Sequence, residues 1–210
     1  MRFLCLSDIH GHAQRLERVL AEAAPREFHQ LVVCGDLLFP GPDPLRTWKI
    51  LLEGRAVCAQ GASDRALAEI DPTMQVPEDS EQAQRLERLI DVRRELGELI
   101  VARLAKLEPR VRLPLESGHE ILVVHGSPVD PLEPLSPDMS DEELEHWIGD
   151  ERADIIVCGA SHVSFERKLV DHHVLGIGSV GDSPAQGYAH AAIVDASAAG
   201  VHIEPFDVEL

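Results

Sequence analysis

Apolar residues in this chain fall into short blocks, and many of the blocks end on polar side chains. Residues 1–7 are apolar almost without alternation, as in a strand buried on both faces. The period then changes: Leu16, Val19, Leu20 and Ala23 stand at i, i+3, i+4 and i+7, which predicts an amphipathic helix over 14–24. A second buried strand follows at 31–34, a Pro-rich loop at 39–44, a short helix near 45–52, and a third strand at 56–59 closed by Gly61. Strands alternating with helices in this order imply parallel pairing through right-handed crossovers.

Farther along, 80–107 reads as a mostly helical insert with Leu86, Leu89, Ile90, Val92, Leu96, Leu99, Ile100 and Leu104 on its apolar side. Strands are predicted at 120–124, 155–158, 166–169, 173–177, 189–195 and 200–208, the last four as antiparallel hairpins. Between them lie a Pro-rich loop at 128–137 and an acidic helix at 141–148 capped by Ser140 or Asp138. Parallel units first and hairpins last predict an α/β fold: a four-layer αββα sandwich of two mixed β-sheets flanked by helices. The whole of 1–210 is expected to form one domain carrying the insert.

Composition narrows the partners. The net charge of −18 opposes an extended nucleic-acid backbone, which wants a basic face. It does not oppose a phosphate ester at a site where a metal supplies positive charge. No apolar run approaches the roughly 20 residues of a membrane helix, and residues 1–12 run directly into a strand rather than reading as a signal peptide. Cys5, Cys34, Cys58 and Cys158 sit in apolar blocks without CxxC spacing, so buried free thiols in a reducing cytoplasm are expected. No feature of the sequence sets an oligomeric state.

The polar ends of the blocks carry the candidate chemistry. Asp8 and His10 close CLSDIH, Asp36 closes LVVCGD, His125 closes ILVVH and His162 closes IIVCGASH. In α/β sheets ligands gather at the carboxyl ends of strands, so these residues can converge. Asp and His together suit borderline divalent cations such as Mn, Fe or Zn. Asp64, after the third strand, reads as a carboxylate that orients a neighbour. Ser127 and Ser179 lie in loops placed to touch phosphate. His12 reads as a helix-start histidine with a ligand role as the alternative; His172 and His173 read as a solvated turn.

These pieces resemble the calcineurin-like metallophosphoesterases, in particular a small bacterial and archaeal phosphodiesterase branch. The matching motifs are Asp8-Ile9-His10, Gly35-Asp36, Gly61-Ala62-Ser63-Asp64, His125-Gly126 and Gly159-Ala160-Ser161-His162, spread over nearly the whole chain. The resemblance implies a first metal held by Asp8, His10, Asp36 and His162. It implies a second that shares Asp36 and adds His125, an asparagine and a histidine. The chain departs from the pattern at the last two positions, which are Ala62 and Ala160, and Ser63 replaces a histidine that serves as general acid in calcineurin-type members. His125 then stands between a ligand or catalytic role and a structural hydrogen bond.

The expectation is a cytoplasmic, metal-dependent phosphoesterase that hydrolyses a small phosphate ester, diester or monoester, by metal-activated water. Its cofactor is a divalent metal, Mn first and Fe, Zn or Ni after it, with one ion held tightly and a second weak or absent. The alternative is a catalytically weak or silent homologue that keeps a metal or phosphate pocket for binding or regulation. An interaction module working through the 80–107 helix is a third option.

Overall fold

Alternate residues of a strand face opposite sides of its sheet, and both sides are buried here. In the computed structural model, which describes residues 1–197 and 200–210, the first sheet contains β1 (Arg2–Leu6), β2 (Gln30–Val33), β3 (Val57–Cys58), β9 (Tyr188–Ser197) and β10 (Gly200–Glu209) in the order β10-β9-β1-β2-β3. The second contains β4 (Arg110–Pro114), β5 (Glu120–Val124), β6 (Ile155–Cys158), β7 (Ser164–Lys168) and β8 (His173–Ile177) in the order β4-β5-β6-β8-β7. Strands β1–β3 run parallel, as do β5, β6 and β8, and antiparallel strands flank both groups. Both sheets are therefore mixed.

The layers follow from the alternation. Leu4, Leu6, Leu31 and Val33 point outward onto α1 (Ala13–Ala23), α2 (Pro44–Glu53), α3 (Ala62–Glu69) and α4 (Ser80–Leu104), meeting Leu16, Val19, Trp48, Leu51, Leu67 and Val92. Phe3, Cys5, Val32 and Cys34 point the other way, against Ile121, Val123, Ile155 and Val157 of the second sheet. The outer face of that sheet, with Leu122, Val124 and Ile156, is covered by Leu144 and Ile148 of α5 (Asp141–Ile148). Helices, sheet, sheet and helix give the αββα sandwich. A slip of one residue in either sheet would exchange its inner and outer faces, which two buried faces of different shape forbid.

Several elements depart from the expected boundaries. Strand β3 shrinks to two residues, and two elements the pattern did not suggest are present. Helix α3 follows Gly61 directly, and β4 is an edge strand whose arginines alternate with half-buried Val111 and Leu113. Helix α4 occupies most of 80–107, is capped by Asp79, and is interrupted at Gly97, where φ is 74°. Ser140 caps α5 in a reciprocal box with Glu143, so Asp138 is not the cap. Among the described residues no helix is long and apolar enough to cross a membrane.

Candidate metal centre

Four parallel strands, β1 and β2 of one sheet and β5 and β6 of the other, deliver Asp8, Asp36, His125 and His162 to one end of the sandwich. Backbone hydrogen bonds tie the connections in pairs within each sheet: Asp8 N donates to Gly35 O, His10 N to Asp36 O, and Gly159 N to His125 O. The turns are tight enough that Asp8, His10, Asp36, Ala160 and His162 all take left-handed conformations, with φ between 50° and 59°. Residues with a Cβ rarely do so, and such strain persists where the surroundings impose it, often at functional sites. Gly159 has a different constraint, because a Cβ there would collide with the Ser7 hydroxyl and the Asp8 carboxylate.

The side chains form two overlapping groups, Asp8–His10–His162 and Asp8–Asp36–His125, each with its ligand atoms within 4.8 Å of one another. In the first, Asp8 Oδ1 is 3.8 Å from His10 Nε2 and 3.2 Å from His162 Nε2, and the two Nε2 atoms are 3.4 Å apart. His10 Nε2 is also 3.9 Å from Asp36 Oδ2. In the second, His125 Nε2 is 3.5 Å from Asp36 Oδ1. The resemblance names Asp36 as the residue common to both sites; in this geometry Asp8 is common to both groups.

Backbone contacts fix which atoms face inward. His10 Nδ1 donates to Phe39 O at 2.6 Å and His125 Nδ1 donates to Cys34 O at 2.9 Å. A carbonyl only accepts, so each ring carries a proton on Nδ1 and turns Nε2 toward the centre. Each aspartate has one oxygen held by a backbone N–H: Ala160 N donates to Asp8 Oδ2 and Ser63 N to Asp36 Oδ1. Asp8 Oδ1 is buried and accepts no hydrogen bond. A buried carboxylate oxygen without a hydrogen bond, facing Nε2 of His10 and of His162, fits a bound cation.

Protonation follows the same contacts. Burial would raise the Asp8 carboxyl, but the contact with His162, the nearby His125 and the Ser7 hydroxyl outweigh it and hold it below its ordinary value. The Asp8 carboxylate raises His162 in turn. Asp64 is buried beneath the centre and accepts N–H groups from Asp36, Leu37 and Gly61. Burial and the Asp36 charge push its carboxyl up to about 7, against the pull of those backbone donors. It holds the Asp36 turn and the start of α3, and is absent from both ligand groups.

Other candidates are placed elsewhere. Ser127 and Ser179 are fully buried, and their hydroxyls donate to Asp130 O and Asp8 O, so they brace the loops instead of facing a phosphate. His12 begins α1, half-buried and outside both ligand groups. Cys34 and Cys158 direct their thiols to Val157 O and Leu175 O, and burial pushes the Cys158 thiol up to about 12, so neither offers a thiolate. His172 bonds Ala153 O; His173 opens β8, where it pairs with Glu166, so it belongs to a strand and not to a turn. Asp182 escaped the sequence reading: its Oδ2 lies 3.8 Å from His162 Nδ1, on a loop with no apolar block to mark it. At the three positions where the chain departs from the resemblance, Ala62 is exposed at the start of α3, Ser63 is buried with its hydroxyl unpaired, and Ala160 carries the N–H bound to Asp8.

A model of the calcineurin-like phosphoesterase superfamily domain matches residues 1–199. No curated protein matches the chain in sequence. Among solved structures, a hypothetical protein from Pyrococcus horikoshii superposes with a TM-score of 0.83 at 20% identity, over 99% of this chain and 88% of that one. A metallophosphoesterase from Sphaerobacter thermophilus gives 0.77 at 18% identity, covering 100% and 89%. An archaeal phosphodiesterase gives 0.54 at 16% identity, covering all of both chains. At these identities the likeness is one of fold.

Proposed function

Because the chain belongs to the calcineurin-like phosphoesterase superfamily, we propose that it is a metal-dependent phosphoesterase acting on a small phosphate ester, through one firmly held divalent cation. The observation that carries this reading is Asp8 Oδ1: buried, without a hydrogen bond, and faced by Nε2 of His10 and His162. Asp8, His10, Asp36 and His162 would hold the ion, and the mixed carboxylate–imidazole set suits Mn, with Fe, Zn or Ni as other borderline choices. A divalent cation there supplies positive charge that polarises a phosphoryl oxygen and makes water more acidic.

The rest is done by the chain itself. His125, its Nδ1 locked onto Cys34 O, keeps Nε2 beside Asp36 and orients a phosphate or the attacking water. The unpaired Ser63 hydroxyl offers a hydrogen bond to a phosphoryl oxygen. Methyl groups at Ala62 and Ala160 coordinate nothing, so a second ion is weak or absent in this reading. With serine at 63, a good leaving group must depart without strong acid assistance. The protein is placed in the cytoplasm, an assignment supported by four unpaired cysteines.

The same replacements support a second reading, a silent homologue that binds metal or phosphate without turnover. The two separate on one assay: hydrolysis of bis-p-nitrophenyl phosphate with added Mn, for the parent and His162→Ala. Mn-dependent turnover lost in the variant is the expected result. A parent that binds Mn yet hydrolyses nothing would establish the second reading instead.

A further inference from the structure

The helical insert reaches the metal centre through one side chain. Helix α4 buries Leu89, Val92 and Leu96 in the core outside the first sheet, so Arg88, next to Leu89, starts from a fixed point. Its guanidinium donates to two consecutive carbonyls of the loop 39–43, Nε to Pro40 O at 2.9 Å and Nη2 to Gly41 O. Among the described residues no other group donates to either carbonyl. The loop has few donors of its own, because Pro40 and Pro42 lack an N–H. Its shape is therefore held from outside, by a planar fork that two adjacent carbonyls can share.

That loop is the seat of His10. The Phe39 carbonyl, one peptide before Pro40 O, accepts from His10 Nδ1. Gly41 lies directly on the His10 backbone, where a Cβ would collide with His10 O. Asp43 N donates to Gly11 O at 2.9 Å. The left-handed turn of His10, with φ of 50°, is thus bonded through its amides to Asp36 O and Leu37 O and clasped by the loop. A shift of Pro40 and Gly41 carries the Phe39 carbonyl with it, and with that carbonyl the aim of His10 Nε2 toward Asp8 Oδ1.

We infer that Arg88 is a positioning residue of the metal centre: through the 39–43 loop it sets the His10 ring and so couples the insert to cation affinity; the inference rests on the cation site proposed above. Arg93 supplies the comparison, since from the same helix it donates to Leu67 O and Ile70 O, at the end of α3 away from the centre. Mn is titrated calorimetrically into the metal-free full chain. Arg88→Ala should weaken binding by about 10-fold, the lower end for disturbing the partner of a ligating histidine. Arg88→Lys, which can satisfy one carbonyl but not the pair, should fall between, and Arg93→Ala should bind as the parent does. In a His10→Ala background, Arg88→Ala should add nothing, because changes that act through one group do not add. Parent-level binding in Arg88→Ala, an equal loss in Arg93→Ala, or an undiminished loss with His10 absent overturns the inference. A second readout needs no metal: with isotope-labelled histidines, the His10 Nδ1 proton, assigned by its loss in His10→Ala, should exchange with water faster in Arg88→Ala and at the parent rate in Arg93→Ala. Should the alanine variant not fold, Arg88→Lys carries both comparisons. If the parent binds no Mn, the cation reading fails and this proton decides the positioning role alone, exchange at the parent rate in Arg88→Ala overturning it.

Discussion

The two halves of the centre are built alike in backbone and unlike in chemistry. On the side of His10 and His162, a buried carboxylate oxygen without a hydrogen bond meets two imidazoles, one with its proton fixed on the far nitrogen. On the side of His125 the same device is present, Nδ1 on a carbonyl and Nε2 beside Asp36, yet the chain has Ala62, Ser63 and Ala160 where the resemblance implies further ligands and an acid. Left-handed turns hold Asp8, Asp36, Ala160 and His162 in both halves. The fold, in our reading, keeps the strained scaffold of a site whose ligand set is changed, because the strain is imposed by sheet ends and loop contacts. In our reading the first half holds the ion and the second holds phosphate.

The largest effect should come from Asp8→Asn. Removing the carboxylate that the two groups share should lower Mn affinity and turnover by at least about 100-fold, more than the loss of an outer hydrogen-bond partner typically costs; titration of Mn with turnover on the same samples checks it. Asp64→Ala leaves three buried backbone donors without an acceptor and should lower unfolding stability by roughly 3 kcal/mol in urea. That loss would strike both halves, since the Asp36 turn and the start of α3 both hang on it. His125→Ala should separate the halves, lowering kcat by about 10-fold or more while the bound ion stays at the parent level. Loss of the ion in that variant would merge the halves into one site. The smallest change, Ser140→Ala, removes the cap of α5 and should cost about 1 kcal/mol with Mn binding and turnover unaltered.

Much of this was legible because an apolar block that stops on Asp or His marks a buried strand and its functional end together. The limits of β5, β6 and β8 fall where the apolar blocks place them, and those of α5 where a serine cap and Gly149 bound an acidic run. Helix α3 was not legible: ASDRALAE is short and buries only Ser63, Asp64 and Leu67, too few apolar positions to set a period. Strand β4 was hidden by the arginines that an exposed edge tolerates. Strand order was equally hidden, because β9 enters between β1 and β10 through contacts far apart in sequence. At the site, the convergence of the five side chains could be anticipated from strand ends. The carbonyls of Phe39 and Cys34 that orient the imidazoles could not, since backbone acceptors leave no mark in a sequence. The serines at 127 and 179 misled for the complementary reason: a loop hydroxyl has the same letter whether it faces a ligand or its own backbone.

The central claim, one competent half and one altered half, is tested most directly by metal content per chain after Mn loading, measured on the parent and on the double variant Ala62→Asn/Ala160→His. The account predicts one ion in the parent and two in the variant. Two ions in the parent, or a variant that gains none, would contradict it.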